Sequence, residues 1–143
     1  MILIPIINGF VFLVLSGLHF YWAMGGKFGF AESLPKKSSG EQIMNPTKFH
    51  CAIVGLGLLA CSAYYYIKLG WMPVPLSKSF FVIGWIITVI FLLRAVGDFR
   101  YVGFFKKIKD TDFGRQDSRY YSPLCLVLAL NGALVEIVTI KIV

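Results

Sequence analysis

Glu136 stands in an apolar run from Ser122 to the C-terminus whose other strongly polar side chains are Asn131 and Lys141. A carboxyl group in hydrocarbon is costly, so it pairs, binds a ligand or exchanges a proton. Helical spacing puts Cys125, Ala129, Gly132, Glu136 and Thr139 on one face. That face is small and polar and suits packing against other helices. Asn8, in the first apolar run, is expected at a similar depth, and a Glu136 to Asn8 hydrogen bond is the expected pairing. Such a bond either orients helices or belongs to a proton- or ligand-coupled site, and Asn131 carries the same two readings.

A second group of polar residues is expected to gather at the other end of the same runs. His19 closes a stripe formed with Asn8, Phe12, Ser16 and Ala23, and Arg94 and Asp98 lie one helical turn apart, the spacing of an ion pair. His50, Cys51 and Cys125 fall at about the same depth. Two histidines, two cysteines and an aspartate could ligate a metal or haem, but their spacing matches no ligand motif, so no metal site is assigned and any cofactor is unknown. A sharper chemistry has His19 as acid or base near neutral pH, oriented by Asp98, while Arg94 and Arg100 hold an anionic substrate group. No Walker sequence, G-x-S-x-G, H-E-x-x-H or dinucleotide fingerprint occurs.

The elements that must position these residues are membrane spans. The chain has 143 residues, 57% hydrophobic and 16% aromatic, and a mean hydropathy of +0.74; this exceeds what a soluble domain carries. A span needs roughly 17–25 mostly apolar residues, and four stretches qualify, at about residues 2–24, 49–67, 79–97 and 122–142. One all-α transmembrane domain, a four-helix bundle, is expected. The third stretch reaches full length with Arg94 in its last turn, where a long side chain can extend to the headgroups. The first has no basic residue ahead of it, unlike a secretory signal, and is expected to be retained.

The net charge of +7 lies between apolar runs, not along a soluble face, which argues against nucleic-acid binding. The connections after spans one and three hold Lys27, Lys36, Lys37, Lys48, Arg94, Arg100, Lys106, Lys107, Lys109, Arg115 and Arg119, against Lys68, Lys78 and Lys141 on the other side. The positive-inside rule then places both termini outside and the two large loops in the cytosol of a bacterial inner membrane. Cys51, Cys61 and Cys125 all fall within spans and imply no disulfide framework.

Pro73 and Pro75 suggest a tight turn that pairs spans two and three as antiparallel neighbours. Phe20, Tyr21 and Trp22 at one end, and Tyr64, Tyr65, Tyr66 and Trp71 at the other, read as interfacial belts. Residues 98–109 alternate large apolar groups with Lys106, Lys107 and Lys109, which suits a segment lying on the membrane with its lysines toward anionic headgroups.

With these residues in view, the chain resembles a family of small bacterial membrane proteins of unknown function. The matching blocks are His19-Phe-Tyr-Trp-Ala-Met-Gly-Gly26, Leu93-Arg-Ala-Val-Gly-Asp-Phe-Arg-Tyr-Val-Gly-Phe-Phe-Lys106 and Asp117-Ser-Arg-Tyr-Tyr-Ser-Pro-Leu-Cys125. The resemblance implies four helices and brings no activity with it. Its blocks cluster on the cytosolic side, which moves the expected ligand site away from Glu136 to His19, Tyr21, Trp22, Arg94, Asp98, Arg100, Asp117, Arg119 and Tyr121.

Three functions compete. The leading one is a binding or transport protein that takes a small anion or lipid headgroup between Arg94, Arg100 and Arg119. The second is a membrane enzyme acting on a lipid-soluble substrate through His19. The third is a non-catalytic subunit, a homo-oligomer or the partner of another membrane protein, docking through small-residue faces such as Cys51, Gly55 and Ser62.

Overall fold

The computed structural model describes residues 2–71 and 78–140. Pro73 and Pro75, and with them the expected tight turn, lie outside the described residues, as does Lys141. Four helical stretches are long and apolar enough to cross a membrane, consistent with a multi-pass membrane protein.

Helix α1 runs Leu3–Ala23 and ends where Gly25 turns left-handed (φ 100°). The Gly26 N–H donates to the Tyr21 carbonyl and the Gly25 N–H to the Trp22 carbonyl, which closes the helix in a Schellman motif that a side chain at Gly25 would strain. A 310 turn at Ala31–Ser33 follows. Helix α2, Lys48–Lys68, starts at Thr47, whose hydroxyl accepts from the His50 N–H while the Thr47 N–H donates to His50 Nδ1. His50 thus serves as a helix cap. Helix α3 is Lys78–Val96.

The last span is longer than its apolar run. Helix α4, Asp112–Gln116, passes through a π-helical turn at Asp117–Tyr121 into helix α5, Ser122–Ile140. Pro123 accounts for the wide turn: it has no N–H to donate to the preceding turn and its ring crowds the carbonyl four residues back. The turn also places Ser122 over Asp117, five residues earlier, where its hydroxyl donates to Asp117 Oδ2 at 3.0 Å.

The closest helix pairs are α1 with α2 and α3 with α5, joined where α1 meets α5. This differs from the expected pairing of spans two and three. Backbones approach most closely where side chains are missing, and each pair places a glycine on both helices. Gly9 on α1 faces the Tyr66 ring, and Gly55 on α2 faces the Phe20 ring. Two buried serines stitch the same interface, Ser16 donating to the Gly55 carbonyl (2.7 Å) and Ser62 to the Gly9 carbonyl (2.8 Å). In the other pair, Gly84 on α3 faces the Glu136 carboxylate and Gly132 on α5 faces Thr88. Helices α2 and α3 meet through long side chains, with Tyr64 stacked on Phe80 and the Lys68 ammonium over the Phe81 ring.

The core between the pairs is aromatic. Phe12 stacks on Tyr65 and meets Phe91 edge-on. Tyr64 and Tyr65 are buried there, and Trp22 is buried at its own end, so these three are packing residues and not belt residues. Tyr66 and Trp71 stack on each other nearer the surface.

Because a methyl group at Gly84 would meet the Glu136 carboxylate and the Tyr64 hydroxyl, Gly84→Ala should lower stability by about 1–3 kcal/mol through overpacking. Gly57, which faces open space, is the control. Thermal unfolding in detergent should show a drop for Gly84→Ala and none for Gly57→Ala.

Candidate functional site

The second and third sequence blocks fold into one charged knot at the end of the bundle that carries the long connections. Asp117 is fully buried (0% exposed) and Lys106 nearly so (2%). Asp117 Oδ1 accepts from Arg94 at 2.8 Å, and Oδ2 accepts from Lys106 Nζ (2.9 Å), the Gly103 N–H (2.8 Å) and Ser122. Lys106 Nζ also donates to the Gly103 carbonyl and the Ser118 hydroxyl, which fills its three donor positions. A buried charge persists only when paired and hydrogen-bonded in this way. Two sequence expectations change here. Arg94 pairs with Asp117 and not with Asp98, and Lys106 points into the protein while Lys107 and Lys109 stay exposed.

Asp98 organises the loop that delivers Gly103 and Lys106. Its Oδ1 accepts from the backbone N–H groups of Arg100, Tyr101 and Val102 at 2.7–2.9 Å. Slight burial pushes its carboxyl group up, but these three donors outweigh it and hold it below the usual carboxylate range. Gly97 (φ 89°) lies so close to the Val102 carbonyl that no side chain fits between them. The Asp98 oxygen that makes these bonds serves the loop; His19 instead places Nδ1 2.8 Å from the Leu15 carbonyl on its own helix, with its ring edge-on to Trp22.

The first block builds a different feature. Trp22 donates its indole N–H to the Phe28 carbonyl and meets Phe30 edge-on, which folds the connection back beneath α1. A cleft of about 390 Å³ opens there, floored by Trp22, Phe30, Ala31, Pro46 and Cys51 and edged by Gly25, Gly26, Lys27 and Lys48. Lys27 and Lys48 are exposed. Tyr21 lies beside it with its ring against Gly26. Arg100 and Arg119 are exposed and lie over the rings of Tyr101 and Tyr120. Tyr121 is half-buried against Phe113. Arg94 and Asp117 are therefore brought together, whereas Arg94, Arg100 and Arg119 do not share a ligand pocket among those described.

At the far end, Glu136 bonds neither Asn8 nor water-facing groups. Its carboxylate accepts from the Tyr64 hydroxyl (2.7 Å) and from Lys68 (2.8 Å), and both charged side chains are 1% exposed. Asn8 instead donates to the Leu128 carbonyl and accepts from Asn131. Lys68 is a site residue that sequence reasoning missed: a lysine at a span end can extend to the headgroups, and this one folds back onto Glu136. No local sequence pattern signals this.

A family model for proteins of unknown function, DUF3995, matches residues 12–131. The chain belongs to the DUF3995 family. The match takes in all three blocks, so the DUF3995 region contains both the knot and the cleft. Searches of curated proteins and of solved structures return no match.

Removing Asp117 would leave Lys106 buried and unpaired, at a cost of about 3–5 kcal/mol. Asp117→Ala should sharply lower the thermal midpoint in detergent, and Lys106→Met in an Asp117→Asn background should recover part of the loss. Asp98 predicts a pH dependence. A depressed carboxyl contributes stability above its unfolded pKa, about 3.9, and loses it as pH falls through the folded value. The stability gap between wild type and Asp98→Ala should be full at neutral pH and should shrink as pH drops below about 4.

Proposed function

We propose that this protein binds an anionic lipid headgroup, or a small free anion of the same chemistry, at the cytosolic mouth of a four-helix bundle in the cell membrane. The observation that carries this reading is the cleft between the ends of α1 and α2: an apolar floor of Trp22, Phe30 and Cys51 with two exposed lysines, Lys27 and Lys48, at its edge. An apolar floor beside cationic groups suits a ligand whose acidic head stays wet while its remaining surface is withdrawn from water. Phe28 and Phe49 are exposed nearby in the chain, as lipid-facing groups beside such a cleft would be.

Of the site residues expected from sequence, Trp22 belongs to the cleft wall, and Arg100 and Arg119 add exposed positive charge that draws anions to this end. Arg94, Asp98 and Asp117 hold the loop after α3 in place and do not line the cleft. The basic loops favour a cytosolic orientation for this end by the positive-inside rule.

The test is ligand-dependent thermal stabilisation of the purified protein, read with phosphatidylglycerol, phosphatidylcholine and inorganic phosphate in turn. A ligand at about 100 times its Kd stabilises by about 2.7 kcal/mol, several degrees in midpoint. Phosphatidylglycerol should raise the midpoint of wild type well above phosphatidylcholine, and Lys27→Ala with Lys48→Ala should abolish the difference. A response to phosphate alone would assign the site to a free anion. An undiminished lipid response in the double variant would remove the cleft as the site.

A further inference from the structure

Two hydroxyl groups in the middle of the bundle are buried without a hydrogen-bond partner: Tyr65 Oη and Thr88 Oγ1. Tyr65 is 0% exposed and Thr88 5%. Both face the same glycine from different helices. A methyl group built on Gly132 of α5 would stand 2.6 Å from Thr88 Oγ1 and 2.8 Å from Tyr65 Oη. The hydroxyl of α2, the hydroxyl of α3 and the bare backbone of α5 therefore meet at one point.

Neither hydroxyl takes the easy partner. A helical threonine commonly donates to the carbonyl four residues back, as Thr139 does to Val135 at 2.6 Å; Thr88 is turned across to α5 instead. The Asn8 amide, which gives one hydrogen to the Leu128 carbonyl and accepts from Asn131, keeps a second hydrogen and lies near the Tyr65 hydroxyl, but outside hydrogen-bonding geometry. Each unsatisfied hydroxyl in hydrocarbon costs about 1–3 kcal/mol. Buried polar groups that converge on a small space without bonding one another are the usual setting of an internal water, which needs hydrogen-bond legs near 2.8 Å and at least two polar partners.

We infer that Tyr65 and Thr88 form an internal binding site for one water molecule above Gly132. Gly132 is required there because a side chain would stand against both oxygens. The bound water donates to one hydroxyl and accepts from the other. It lies between two polar groups already described, the Asn8–Asn131 pair and the Tyr64–Glu136–Lys68 cluster, and Tyr65 packs edge-on to Tyr64. The site thereby joins them into one polar column through the outer half of an otherwise aromatic core.

Isosteric variants test this. Tyr65→Phe and Thr88→Val each remove one oxygen and no packing volume. If a water bridges the pair, each single variant lowers the thermal midpoint, and the double variant falls little below the lower single one, because the second removal has no bridge left to break. If the hydroxyls have no partner, each removal leaves the midpoint unchanged or raises it, and the proposal fails. A crystal structure of the wild-type protein gives an answer independent of variant folding. Density for a water within hydrogen-bonding distance of both oxygens supports the site; a Tyr65 hydroxyl turned onto Asn8, or a dry contact above Gly132, overturns it.

Discussion

A carboxylate withdrawn from water must collect its hydrogen bonds from the fold that buries it. This chain does so twice, near opposite ends of the bundle. Glu136 ties α5 to α2 through Lys68 and Tyr64, and it reaches them across a gap that exists because α3 has a glycine, Gly84, at the crossing. Asp117 ties the start of the last span to the end of α3 through Arg94 and to the intervening loop through Lys106 and Gly103. Lipid offers apolar side chains little reason to prefer one helix over another. The carboxylates supply that preference, because a wrong register would strand a charge.

The two closely packed helix pairs follow the same logic at lower stakes. Ser16 and Ser62 each donate to a glycine carbonyl on the opposite helix, so α1 and α2 are matched at two heights. Helices α3 and α5 are matched by Gly84 beneath Glu136 and Gly132 beneath Thr88. The pairs then join through Phe12, Tyr65 and Phe91 and through the Glu136 cluster. Helix pairing is decided by where side chains are absent and where a polar group must be met, more than by the length of the connection.

Those rules explain what could be read in advance. Spans are legible because hydropathy sums residue by residue: four helices long and apolar enough to cross a membrane cover the four apolar runs, the last extended back to Asp112. The small faces through Cys51, Gly55 and Ser62 and through Ala129, Gly132 and Glu136 are indeed buried. Partners are less legible, because they depend on the relative rotation of helices. Glu136 was recognisable as a group in need of a partner, but nothing in the local pattern distinguishes Lys68 from any other cation at a span end. Lys106, Lys107 and Lys109 look alike in sequence, yet only the first points inward, since the turn set by Gly97, Asp98 and Gly103 decides which side chain faces Asp117. The cleft was invisible because Trp22 folds the segment just after α1 back beneath its own helix, against residues at the start of α2.

The knot and the cleft also separate two uses of positive charge that a residue count merges. Arg94 and Lys106 face a single carboxylate, so the knot keeps one net positive charge at the bundle end, and Arg94 Nη1 is buried there without a protein partner. That charge is fixed by packing and adds to the field of the exposed Lys27, Lys48, Arg100 and Arg119. The cations at this end are of unequal availability. Lys27 and Lys48 at the cleft are exposed, whereas Arg94 and Lys106 cannot leave Asp117 without uncovering a buried charge. The exposed charge of this end and the anchoring of its loop therefore rest on different side chains.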